Sequence, residues 1–185
     1  GGWWGRDRGG WARGGGEGDR GLLTGGGRGD RGGFLNARRT LQQLIGLGVV
    51  PIVNENDTVA TDEIRFGDND SLSANLVNLT GAQLLVILTD VDGLFERAPR
   101  EGEPMPPLIS VIERVTPQIE AAASGSSSAF GRGGMLTKLD AAKSAGLSGA
   151  ATVICNGNTR NALLRVAAGD PLGTLFVPDE PEHRM

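Results

Sequence analysis

LLVILTD, residues 84–90, is the segment from which the architecture of this chain can be worked out. Its five leading aliphatic residues are continuous, where a half-exposed strand would alternate with period two, and the run is too short for a buried helix. Such runs belong to strands of a parallel sheet covered on both faces. VVPIV (49–53) and ATVIC (151–155) have the same character. Between them the apolar period shifts towards 3.6. Leu35, Leu41, Leu44 and Ile45 describe a helix that starts at Phe34, with Gly48 as its stop, and Leu72, Leu76, Val77 and Leu79 mark a second. Further helices are expected from about Thr116, over residues 136–146 and in TRNALLRVAAG (159–169), with short strands at 108–111 and in GTLF (173–176). Repeated βα units predict an α/β fold, a three-layer sandwich with a mostly parallel central sheet. Ligands in such sheets gather at the carboxyl ends of strands, here the loops that begin at Asn54, Thr89 and Asn156.

The length of 185 residues suits one domain. Of the 31 glycines, 16 fall in the first 33 residues, a segment with no apolar period. We read residues 1–33 as a disordered or non-native segment, residues 34–177 as the folded domain and 178–185 as a tail. The Arg, Gly and Trp mixture of the first segment leaves RNA binding as one alternative, since arginine and aromatic groups stack on bases. Against it, a net charge of −4 and a pI near 5.1 speak against nucleic acid or an anionic membrane as partner of the whole chain. One cysteine, Cys155, and one histidine, His183, give no disulfide framework, no CxxC site and no His-based metal site or triad. With no apolar run approaching about 18 residues, a soluble, cytoplasmic protein is expected.

Three stretches carry chemistry. NENDTVATDEIRFGDND (54–70) is rich in carboxylates but lacks the alternating ligands, glycine and final glutamate of a calcium loop. Asn69 or Asp70 could cap the following helix. The neutral amides beside carboxylates at a strand end also suit a small zwitterion, and a merely solvated loop stays open as an alternative. FGRGGMLTK (130–138) combines glycines, a helix start and Lys138, a set that can approach and neutralise phosphate, although it is no Walker A motif and a flexible linker remains open. LTDVDGLF (88–95) puts Thr89 and Asp90 at a strand end, where they contact a nucleotide or simply make a turn.

In this order and spacing, NENDTVATDEIRFGDND, LTDVDGLF and GRGGMLTK resemble the amino acid kinase family, and EIRFGDND (63–70) is the form of its glutamate 5-kinase branch. The likeness runs from about residue 22 to 176. It implies transfer of the γ-phosphate of ATP to the side-chain carboxylate of L-glutamate, the first step towards proline. Carried over by position, Asp57 and Asn69 would bind glutamate. Thr89, Asp90, Arg132, Gly133, Gly134, Met135, Leu136, Thr137 and Lys138 would bind ATP. Lys138 and Asp70 would be the catalytic pair, Asp70 organising the phosphate-binding groups. Mg2+ would ride on the nucleotide rather than in a protein cage, and a homo-oligomer is compatible with the resemblance.

The sequence departs from the family in places. The family opens with a strand and a KxGS-type phosphate loop, followed by a serine-containing glutamate loop. Neither occurs in these residues, nor does the C-terminal PUA module of many relatives, and Arg132 stands where threonine is frequent. We therefore expect an N-terminally incomplete domain with weak activity or none, and keep a nucleotide-binding chain without catalysis as the alternative.

Overall fold

The computed structural model describes residues 31–54, 68–100, 102–124 and 134–178. Helix α1 (Arg31–Gly46) begins three residues before the expected Phe34 and ends where expected. Gly48, at φ 75°, lets the chain reverse, so that its N–H donates to the Ile45 carbonyl and the Val49 N–H to that of Leu44, both at 2.9 Å. Then follow α2 (Asn69–Thr80), β1 (Leu84–Thr89), β2 (Val111–Ile112), α3 (Pro117–Ser124), α4 (Met135–Leu147), β3 (Ala151–Asn156), α5 (Ala162–Ala167) and β4 (Thr174–Phe176).

The sheet order is β1-β3-β4-β2. Strands β1 and β3 pair in parallel from Leu84↔Ala151 to Thr89↔Asn156, and β2 pairs β4 in parallel. GTLF supplies the one reversal, since β4 runs antiparallel to β3. Helices α2 and α4 cover one face, where Val77, Leu85, Ile87, Leu139, Ala145, Ile154 and Phe176 form the main core. On the other face α5 closes a smaller cluster of Val153, Cys155 and Ala162, with Val166 and Leu172 packed against it. No helix among the described residues is long and apolar enough to cross a membrane.

Two strands expected to be buried on both faces are not. In β1, Leu85 and Ile87 are buried but Leu84 and Leu88 are 42% and 46% exposed, because among the described residues β1 is the last strand on its side of the sheet and α5 covers β3. Only ATVIC is enclosed from both sides. Residues 49–53 form no strand: Val50 is 78% and Ile52 91% exposed. An apolar run becomes a strand only against a ladder partner, and Pro51 lacks one of the donors a ladder needs. The expected hairpin across residues 59–66 lies outside the described residues, as do most of the expected glycine and serine loop (residues 125–133), residues 1–30 and residues 179–185.

Two buried groups on β3 give testable consequences. Thr152 is fully buried, and its hydroxyl has no hydrogen-bond partner among the described residues. A buried, unpaired hydroxyl is a desolvation penalty with no return, so the isosteric Thr152→Val is expected to raise stability by about 1 kcal/mol, read as a higher denaturant midpoint at unchanged m-value. Cys155 is also fully buried, and burial pushes its thiol up from the ordinary range. The thiol therefore stays protonated in the folded chain, and its alkylation is expected to follow the unfolding transition. The sign for stability follows: this contribution is complete below the unfolded thiol's value of roughly 8.5 and is lost as the pH rises through the folded one. Alkylation of native protein at the rate of the unfolded chain would contradict this burial.

Candidate functional site

The topology brings four chain ends to one end of the sheet. Strands β1 and β3 finish there side by side, with Thr89 opposite Asn156. Helix α2 leads into β1 through Gly81, and α4 leads into β3 through the turn at Gly149. Each helix thus runs back along its strand, which sets the N-termini of α2 and α4 at the same end as Thr89 and Asn156. The two helices also pack on one another. Two helix starts side by side bring the positive ends of two dipoles to this end of the sheet.

The start of α2 corrects the capping expectation. Neither Asn69 nor Asp70 is the cap. Asp68 is, in extended conformation, with Oδ1 accepting the Ser71 N–H at 2.7 Å. The helix begins one or two residues earlier than the acid cluster suggests, and this leaves Asn69 and Asp70 in the first turn. Asp70 reaches across to α4. Its Oδ2 accepts from Lys138 Nζ at 3.1 Å and from Thr137 Oγ1 at 2.7 Å. The Lys138 and Asp70 side chains are only 12% and 14% exposed. An ion pair so placed is held by hydrogen bonds on a defined oxygen, unlike a surface pair that water screens.

At α4 the cap residue is Gly134, which offers no side-chain hydrogen bond to the first turn. Met135 buries its side chain in the core, so only its backbone faces the helix start, while Leu136 is 42% exposed. Asp57, Arg132 and Gly133 lie outside the described residues. Of the residues singled out from sequence, Asn69, Asp70, Gly134, Met135, Leu136, Thr137 and Lys138 therefore sit at the two helix starts, and Thr89 and Asp90 at the adjoining strand end.

Sequence inspection missed what holds the strand ends. Asn156 Nδ2 donates to Asp92 Oδ1 at 2.9 Å, its Oδ1 accepts the Asn158 N–H at 2.9 Å, and the Gly157 N–H donates to the Thr89 carbonyl at 2.8 Å. Thr89 Oγ1 donates to Asp90 Oδ1 at 3.1 Å. Behind them, the loop after β1 is fastened to β4: the Leu94 N–H donates to Thr174 Oγ1 at 2.9 Å, and that hydroxyl donates to the Ile109 carbonyl at 2.7 Å. Thr174 is fully buried. The loop beginning at Asn156 was visible as a strand end, but no sequence pattern pairs Asn156 with Asp92 or Leu94 with Thr174.

A cavity of about 480 Å3 lies elsewhere, at the opposite end of the sheet, lined by Ile112, Arg114, Lys143, Leu147, Phe176 and Val177. It contains none of the residues above. Lys143 there is bonded to Glu120, which raises its ammonium above the ordinary lysine value. The candidate site is defined by converging chain ends and not by that hollow.

The arrangement is that of an α/β protein with two helix starts and the pair of Lys138 and Asp70 at the carboxyl ends of two parallel strands. The chain belongs to the amino acid kinase family, whose model matches residues 17–156. It is 54% identical over 162 residues to "Glutamate 5-kinase" of Stutzerimonas stutzeri (strain A1501), covering 88% of this chain and 43% of that protein. It is 54% identical over 157 residues to "Glutamate 5-kinase" of Geobacter sulfurreducens, covering 85% of this chain and 42% of that protein. The chain thus spans less than half the length of these relatives. Among solved structures, the isopentenyl phosphate kinase product complex of T. acidophilum superposes with a TM-score of 0.55 at 20% identity, over 83% of this chain and 56% of that one. That likeness concerns the fold.

Proposed function

We propose that this chain carries the nucleotide-side part of a phosphotransferase that moves the γ-phosphoryl group of ATP to the side-chain carboxylate of L-glutamate. One observation carries the proposal: Lys138 and Asp70, brought together from the first turns of α4 and α2, put a fixed ammonium between two helix N-termini. The identity to proteins named glutamate 5-kinase supports the choice of substrate.

Each part then has a task. Thr89 and Asp90 at the end of β1, with residues 132–138, receive ATP, the Thr137 hydroxyl being engaged by Asp70 rather than by the nucleotide. The first-turn N–H groups of α4 and the Lys138 ammonium take up charge on the phosphate oxygens. Asp57 and Asn69 receive glutamate. The acceptor carboxylate is ionised at neutral pH, so no general base is required. One of its oxygens forms the new P–O bond, the bond from phosphorus to the bridging oxygen breaks, and ADP leaves with that electron pair; no proton is transferred. What remains for the protein is alignment and charge neutralisation.

Magnesium, bound to the nucleotide, would supply further neutralisation of phosphate charge. The donor set fits a nucleotide-borne ion in this respect: Asp70, the carboxylate between the helix starts, already accepts from Lys138 and Thr137.

ADP release by the purified chain with Mg-ATP, with and without L-glutamate, tests the proposal. Weak glutamate-dependent release is the expected result, since these residues span less than half the length of the named relatives. A folded chain that binds Mg-ATP yet releases no ADP with glutamate would reduce the function to nucleotide binding, and one that binds no nucleotide would remove the proposal altogether.

A further inference from the structure

We propose that Thr137 is a positioning residue, whose hydroxyl fixes the Asp70 carboxylate and, through it, the Lys138 ammonium. The inference deepens the phosphotransfer reading and rests on it for the role of Lys138. Thr137 Oγ1 lies 2.7 Å from Asp70 Oδ2 and 2.8 Å from the Gly134 carbonyl oxygen. A hydroxyl has one proton for two acceptors, and an ionised carboxylate is the stronger of them. The proton therefore points at Asp70.

Lys138 Nζ reaches the same oxygen at 3.1 Å. Oδ2 thus takes two donors from consecutive residues of α4, while Asp70 itself arrives from α2, 67 positions before Thr137. The terminal torsion of an aspartate is broad and nearly twofold, so a single flexible lysine selects no unique orientation of the carboxylate. A short-tethered hydroxyl on a helix does. Because both charged side chains are largely enclosed, water is poorly placed to substitute for the missing donor. Without the Thr137 hydroxyl the carboxylate turns, and the pair of Lys138 and Asp70 loses its fixed geometry. The charge stays in the crevice, but its aim is lost, and aim is what a transfer that relies on alignment needs. A direct nucleotide contact would make the opposite demand on Thr137, with its hydroxyl turned to phosphate.

The test is acetylation of the full chain by the N-hydroxysuccinimide ester of acetic acid, with Lys138 and Lys143 quantified separately by mass spectrometry. Lys143, held by Glu120, serves as the internal reference for an intact fold. Thr137→Val is expected to speed Lys138 labelling about tenfold relative to Lys143, towards the rate in Asp70→Asn. Thr137→Ser, which keeps the hydroxyl, is expected to stay at the wild-type rate. Wild-type labelling in Thr137→Val, or equal acceleration in Thr137→Ser, would overturn the proposal. Should Lys143 also accelerate in Thr137→Val, the comparison of Thr137→Ala with Thr137→Ser decides in the same way.

Steady-state turnover separates this inference from the one it rests on. In Thr137→Val, kcat is expected to fall with KM for Mg-ATP unchanged. A raised KM with wild-type labelling would make Thr137 a nucleotide contact and refute the positioning role. Absence of turnover in the wild-type chain counts against phosphotransfer alone, and the labelling result stands apart from it.

Discussion

Replacing Gly173 by alanine is expected to remove the cooperative thermal transition of this protein at temperatures where the wild type is folded. A Cβ at this position would lie 2.1 Å from the Ile154 carbonyl oxygen and 2.7 Å from Cys155 Cβ. Both are core atoms of β3, and neither is the movable end of a long side chain. To admit the methyl group, β4 must withdraw from β3, and the ladder Thr152↔Phe176, Val153↔Leu175 and Ile154↔Thr174 goes with it. The φ of 76° adds strain of its own for any residue with a Cβ. Loss of packing, ladder and conformation together is expected to exceed about 4 kcal/mol, a large part of the margin of a domain this size. Gly169→Ala is the control. Gly169 has nearly the same φ, 83°, but nothing within 4 Å of the added atom, so its cost is expected to be about 1 kcal/mol. Circular dichroism melts of the two variants check this. Equal melting temperatures would show that β4 can yield at no cost and that close packing at Gly173 is not what matters.

The second large effect concerns the crevice. In the glutamate-dependent ADP-release assay, Lys138→Ala is expected to lower the rate on the order of a thousandfold, as expected for the loss of a fixed charge that meets developing charge on the phosphate. Asp70→Asn retains a group that can accept from Thr137 but no longer attracts the ammonium, and is expected to lose about a hundredfold. Nucleotide affinity should fall far less in both, because the backbone N–H groups at the start of α4 and the strand end at Thr89 are untouched. Both substitutions leave one charge partly enclosed without its counterion, so a melting curve must accompany each rate. A Lys138→Ala protein that is folded and turns over at the wild-type rate would remove Lys138 from the chemistry.

Much of the architecture can be read along the chain, and the failures have physical causes. ATVIC, enclosed from both sides, and Gly48, with its positive φ, behave as their residue types require. LLVILT forms its strand, but burial on one face depends on which strand and helix lie beside it, which is not local information. VVPIV has a strand's composition and no strand. At the helix starts, Lys138 and the residues from Gly134 stand where the proposed phosphate-binding role of the glycine-rich run needs them. The bond from Thr137 to Asp70 and the link from Asn156 to Asp92 join residues 67 and 64 positions apart, and only the packing of α2 on α4 and of β1 on β3 creates them. The cap was misplaced by one or two residues because Asp68, Asn69 and Asp70 all have side chains able to cap; the choice fell to Asp68, leaving Asp70 to face α4.

The hydrogen bond from the Leu94 N–H to Thr174 joins residues 80 positions apart, and it has a consequence for the order in which the protein assembles. Closing so long a loop is slow relative to forming α4 or the helix-to-strand turns, whose contacts are local. Residues 91–94 therefore take their final shape only after β4 has docked. The polypeptide beside this strand end waits on a strand synthesised some 80 residues later, so a nascent chain that has not yet exposed Thr174 carries the site's sequence without its geometry.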